Sequence, residues 1–167
     1  YNPCLMEHCD ERIRNNTICY NDQKLLNFLS SKMSFRELSH NVVPTLRSEY
    51  CIGKHCNYEY IKTLFPGFNK YIIQADVSSG GYGTHILDES NATQVLGALE
   101  DDDTYLISPY YEKNIPINIH AIIFEKDILI FPASVQIMIE DANRLLYRGA
   151  DYVAYESINA ELKRKFS

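Results

Sequence analysis

The stretch Tyr71-Ile72-Ile73-Gln74-Ala75-Asp76-Val77-Ser78-Ser79-Gly80-Gly81-Tyr82-Gly83-Thr84 decides how the rest of the chain is read. Its apolar start predicts a strand that feeds a small, flexible loop over Ser78 to Thr84. Glycines in that loop remove Cβ atoms where a backbone must approach something closely. Ser78, Ser79 and Thr84 add hydroxyls, so the loop has the N–H and O–H donors that suit an anion such as a phosphate. A plain hairpin whose turn needs positive φ accounts for the same residues.

Two common phosphate loops are excluded. A P-loop ends in Gly-Lys-Ser/Thr, whereas Gly83 is followed by Thr84 and His85. A dinucleotide fingerprint opens a helix, whereas this loop runs into the β-like His85-Ile86-Leu87. Two strands therefore flank the glycines, as in a flap. Protein kinases share that device, but no His-Arg-Asp or Asp-Phe-Gly follows.

Downstream, Ser90 or Asn91 caps a short amphipathic helix carrying Val95, Leu96 and Leu99. Asp101-Asp102-Asp103 is a solvated turn, and Tyr105 to Tyr111 reads as a strand ending at Pro109. Asn118 to Phe124 and Ile128 to Phe131 predict a hairpin around Lys126-Asp127. Asn118 and His120 share one strand face, while Ile117, Ile119, Ala121 and Ile123 share the other as an expected core set. The polar pair either lines a cleft or faces water. Ser134 and Gln136 alternate in the same way on a later strand, and Pro132 before them leaves open whether they join the same face. Ile158, Leu162 and Phe166 predict a helix over 155–166.

The whole chain has 167 residues, enough for one domain or two small subdomains. A net charge of −6 and a pI near 5.3 leave no electrostatic footprint for nucleic acid. No apolar run reaches the length of a membrane span and no signal peptide is visible, so a cytoplasmic location without membrane partners is expected. Cys4-x-x-x-His8-Cys9 and Cys51-x-x-x-His55-Cys56 share a spacing that pairs thiolates with imidazoles, as a zinc site does. That spacing is not the usual two-residue knuckle, and Cys19 is left over. Free thiols are the default in a reducing compartment, and no metal-ligating set is assigned.

From Leu25 to Tyr152 the order of these pieces resembles the ATP-grasp family of ATP-dependent ligases, and its biotin carboxylase and carbamoyl-phosphate synthetase branch in particular. The matching pieces are Ile72-Ile73-Gln74 with Ser78 to Thr84, then Ile107-Ser-Pro-Tyr-Tyr111, then Ile117-Asn-Ile-His-Ala-Ile-Ile-Phe124. Upstream, Ser31-Lys-Met-Ser-Phe-Arg-Glu-Leu38 with Val43-Pro44 is similar to the segment carrying a nucleotide-contacting lysine. The resemblance implies an α+β fold of antiparallel sheets with packed helices. It divides the chain into a linking segment (1–44), a flap subdomain (45–107) and part of a central subdomain (108–167).

The same resemblance implies roles. Lys32 would reach phosphates from a helix start, although a solvated helix lysine is the ordinary alternative. Gln74 stands where many members carry a second lysine, and it can donate hydrogen bonds without offsetting charge. Ser78, Ser79, Gly80, Gly81, Gly83 and Thr84 would cover the phosphates. Ser108, Tyr110 and Tyr111 match the hinge whose backbone reads adenine, with Glu112 in reach of the ribose. Family members commonly carry an acidic residue at the Ser108 position. Asn118 and His120 would face the same cleft.

ATP and Mg2+ are the implied cofactors and a small carboxylate the implied substrate, activated as an acyl phosphate for attack by an amine or another nucleophile. In the family, the acidic residues and asparagine that hold magnesium come on a further strand. The chain stops before such a strand, so a piece of a larger ligase, inactive alone, is expected. A homo-oligomer is compatible with this. The competing class is a non-catalytic nucleotide-binding or interaction module.

Overall fold

The computed structural model describes residues 10–15, 23–40, 42, 46–78, 81–153 and 160. Among the described residues three helices come first: α1 (Glu11–Asn15), α2 (Gln23–Ser30) and α3 (Lys32–Ser39). β1 (Glu49–Ile52), a single 3-10 turn (Gly53–His55) and α4 (Tyr58–Leu64) follow. Next come β2 (Lys70–Ala75), β3 (Thr84–Asp88), α5 (Ala92–Leu96) and β4 (Thr104–Pro109). Five strands follow: β5 (Ile117–Asn118), β6 (Ala121–Phe124), β7 (Asp127–Ile130), β8 (Ser134–Asp141) and β9 (Arg144–Asp151). The fold is mixed, with antiparallel sheets and few helices, in the α+β class expected.

Seven strands form one antiparallel sheet in the order β1-β4-β2-β3-β9-β8-β5, and β6 pairs only with β7. β1 and β2 run parallel with β4 between them, because each is antiparallel to β4. β3 and β4 are related in the same way across β2. α4 and α5 therefore make crossovers of two interlocked split β-α-β units. The side chains of both helices enter one core. Ile61 of α4, Phe65 just past its end and Val95 of α5 pack with Tyr71, Ile73, Leu87 and Ile107 of the strands.

Local chemistry explains these elements. Asn57 caps α4 by accepting the N–H of Tyr60 at 2.8 Å, and Ser31 caps α3 by accepting that of Ser34 at 3.1 Å. Asn91 precedes α5 but makes no side-chain cap there. Its amide instead accepts the N–H of Asp88 and donates to the carbonyl of Ile86, tying the turn after β3 together. In β2, Tyr71 and Ile73 are fully buried while Ile72 and Gln74 are only partly so, the period-two pattern of a strand with different surroundings on its two faces. The Tyr71 hydroxyl donates to the Phe68 carbonyl at 2.7 Å, which satisfies the polar end of a buried ring.

Two expectations need correction. The hairpin after Asn118 turns at Glu125 and Lys126, with Phe124 opposite Asp127. Ile117, Ile119, Ala121 and Ile123 are exposed and not in the core. The chain leaves the main sheet after β5, and no other described element pairs with the β6–β7 ribbon. Cys4, Cys9, Cys19, His8, Val43, Pro44, Ser79 and Gly80 lie outside the described residues, as does nearly all of the helix expected over 155–166. Among the described residues, no helix is long and apolar enough to cross a membrane.

Candidate functional site

On the side of β2 and β4 away from α4 and α5 lies a cavity of about 720 Å³. Strand alternation builds its first wall: Ile72 and Gln74 of β2 line it, with Ser108 of β4 directly across from Ile72. Pro109, Tyr110, Tyr111 and Glu112 extend that wall past the end of β4. The opposite wall comes from Asn118 of β5, Gln136 and Met138 of β8, and Leu145 and Tyr147 of β9. Lys32, Ser78, Gly81 and Thr84 close one end, and His120 also reaches the cavity.

All the described residues expected to touch a ligand line this cavity except Gly83. Gly83 has φ +70°, and a Cβ there would come within 3.0 Å of the Ala75 Cβ, so it serves the turn itself. Gly81 has φ +84°, and a Cβ there would collide with the Leu145 carbonyl oxygen and come within 2.9 Å of the Leu146 Cα. The close approach that its glycine permits is therefore to β9. The neighbouring ladder is thin: His85 sits opposite Arg144, and the Ile86 N–H donates to the Asn143 carbonyl at 2.7 Å.

Lys32 is engaged with the chain itself. Its ammonium donates to the carbonyls of Ala75 (2.8 Å) and Asp76 (3.1 Å) and to Ser78 Oγ (2.9 Å). The Lys32 N–H donates to the same Asp76 carbonyl, and the Asp76 carboxylate accepts the Met33 N–H at 2.8 Å. The start of α3 and the end of β2 are thus laced together. Burial lowers the Lys32 pKa from its ordinary value, and the Asp76 charge opposes that shift. This lysine lies at the cavity's edge with all three of its donors in use.

The segment after β4 is also partly committed. The Tyr110 N–H donates to the Lys70 carbonyl at 2.9 Å, so it is not among the free backbone groups expected there. Glu112 pairs with Lys70 at 2.6 Å in an exposed position. The Tyr111 ring packs edge-on to Phe68, with centroids 5.4 Å apart. Gln74 lies on an inner strand and donates to Thr84 Oγ1 at 3.4 Å, a long contact that leaves it available. Across the cavity Gln136 donates to Asn118 Oδ1 at 2.8 Å, leaving the Asn118 amide protons and the Gln136 oxygen for a ligand.

Site reading from sequence noted the alternation of Ser134 and Gln136 without assigning it to the cleft, and it missed Met138, Leu145 and Tyr147. Their signal is the alternation Gln136-x-Met138 and Leu145-x-Tyr147, which pairing turns into a wall because Met138 lies opposite Tyr147. Chemically, the described lining is mostly neutral: apolar side chains and prolines, carboxamides, hydroxyls, tyrosine rings and an imidazole, with one ammonium and one carboxylate. Such a site suits a planar, polar, largely uncharged group with an anionic end near Lys32. Among the described residues no group of three His, Cys, Asp or Glu is placed to hold a metal. Cys51 and Cys56 are free thiols, and Cys56 is pushed up in pKa by burial and by its contact with Cys51. No family model matches the chain, and neither a curated protein nor a solved structure matches it.

Two outcomes follow from the β3–β9 joint. Gly81→Ala places a Cβ in a left-handed conformation against the Leu145 carbonyl, so urea unfolding should register a loss of at least about 2 kcal/mol; a change near zero contradicts the joint. His85, beside Arg144, has its pKa lowered from 6.5 by burial first and by the Arg144 charge second. The unfolded chain therefore binds this proton more readily than the folded one. The His85 contribution is full above about pH 6.5 and declines as the pH falls from there toward the lowered value. Urea midpoints across that window should drop for the native chain and drop less for His85→Gln; identical slopes would contradict it.

Proposed function

We propose that this chain carries the nucleotide-holding cleft of an ATP-dependent ligase of the ATP-grasp kind. Such a ligase activates a carboxylate as an acyl phosphate, which an amine or another nucleophile then attacks. The observation that carries the reading is convergence: Lys32, the end of β2, the glycine turn, the Ser108–Glu112 segment, and Asn118 with His120 are far apart in sequence and line one cavity. A volume of about 720 Å³ is in the usual range for a small-molecule site.

Within this reading the adenine lies along Ser108 to Tyr111, with the carboxamides of Asn118 and Gln136 on the far wall. Glu112 is in place for the ribose hydroxyls if it exchanges its exposed Lys70 pairing. The phosphates point toward Lys32, Ser78 and Thr84. The protein's part in phosphoryl transfer is then positioning and charge stabilisation, without a covalent protein intermediate. Among the described residues no group of three His, Cys, Asp or Glu is placed to hold a metal, and no step is assigned to magnesium on this stretch of chain.

One observation favours a binding module without catalysis. Among the described residues Lys32 is the sole ammonium in the lining, and the protein itself occupies its donors. A phosphate gains this cation only by displacing Ser78 or a backbone carbonyl. Binding should therefore be weak, in the region of millimolar, equivalent to about 4 kcal/mol.

Calorimetric titration with ATP and with adenosine tests both readings. The ligase reading expects ATP to bind more tightly than adenosine, with the difference erased in Lys32→Met. Equal affinities would support the module. Binding of either ligand that is unchanged in Tyr147→Ala and in Gln136→Ala would place the site elsewhere and overturn both.

A further inference from the structure

After β5 the chain departs from the main sheet and forms a ribbon of its own, β6 against β7. Ala121 lies opposite Ile130 and Ile123 opposite Ile128, all on one face. Ile123 is 72% exposed, Ile128 64% and Ile130 66%, and Ile119 just before the ribbon is 66% exposed. The opposite face carries Ile122, Leu129 and Phe124, also open, together with Asp127. A two-stranded ribbon is at best marginal in water, and one that shows isoleucine to solvent along a whole face needs a cover.

We infer that this isoleucine face is the contact between two copies of the chain. Area argues for it: two such faces packed about 10 Å apart would remove on the order of 1,000 Å² from water through the four isoleucines of each copy, about what a specific interface needs. Charge argues the same way. The ribbon's charged residues are Glu125, Lys126 and Asp127, at its turn and on the opposite face, so the isoleucine face carries none. In a twofold arrangement with antiparallel ribbons the two turns lie at opposite ends, which keeps two chains of net charge −6 from facing each other there. A lipid surface is disfavoured, since Lys126 is the one basic residue of the ribbon. The inference is independent of the nucleotide reading.

Sedimentation equilibrium of the whole chain over a concentration series tests it. A species of twice 19.3 kDa is expected at micromolar concentration, and Ile123→Lys should weaken it at least about a hundredfold. Circular dichroism checks that the variant is folded. Hydrogen exchange of the unaltered chain supplies the second measurement: amides 119–130 should slow as concentration rises, while those of β2 stay constant. A monomer at about 100 μM, well above a usual interface's dissociation constant, overturns the proposal. So does open-ended growth without a discrete dimer, binding to anionic vesicles by the monomer alone, or a dimer whose strength Ile123→Lys leaves unchanged.

Discussion

The cavity depends on one close approach of backbone to backbone. The turn at Gly81 lies against Leu145 and Leu146 of β9, where a side chain would collide with the Leu145 carbonyl. That contact, with the single pairing of His85 and Arg144 and the bond from Ile86 to Asn143, joins the split β-α-β half of the sheet to the β8–β9 half. Without it Ile72, Gln74 and Ser108 would face water, and Gln136, Met138 and Tyr147 would have nothing across from them. A thin joint between two well-paired halves is also where a sheet opens at the least cost.

The helix side is fixed by different physics. Tyr71, Ile73, Leu87 and Ile107 are buried against α4 and α5, so one face of the strands belongs to the core. Alternation then delivers the other face to the cavity at no further cost. Lys32 completes the enclosure by lacing α3 to the end of β2. Its ammonium sits among carbonyls, which explains both its place at the cavity edge and the burial that lowers its pKa.

Much of this was legible in the sequence because it rests on local pattern. The glycine-bearing turn between two strands and the strand ending at Pro109 need only period two and turn chemistry, whereas Asn118 and His120 line one cavity although the strand expected to carry both ends at Asn118. The meaning of Gly81 was legible only in part: its glycine does signal a close approach, but the sequence does not say that the neighbour is β9. Most of the second wall was missed for the same reason: Met138 and Tyr147 gain significance only through long-range pairing, and the alternation of Ser134 and Gln136 did not by itself say which face it lines. The isoleucines from Ile117 to Ile123 misled because apolar alternation reports a face that needs cover, and here no described part of the chain pairs with the ribbon.

The cavity's neutral, aromatic and carboxamide lining, with its one ammonium at the edge, is better matched to a base and sugar than to a free polyphosphate. The central claim is that Ser108–Glu112, Gln136 and Tyr147 grip one nucleotide between them. Amide chemical shifts of the isotopically labelled chain, followed while ATP is added, test this most directly. The account predicts saturable shifts confined to those three segments, the Gly81 turn and the start of α3. Shifts that cluster on the α4 and α5 side, or that leave Gln136 and Tyr147 unmoved at saturation, would contradict it.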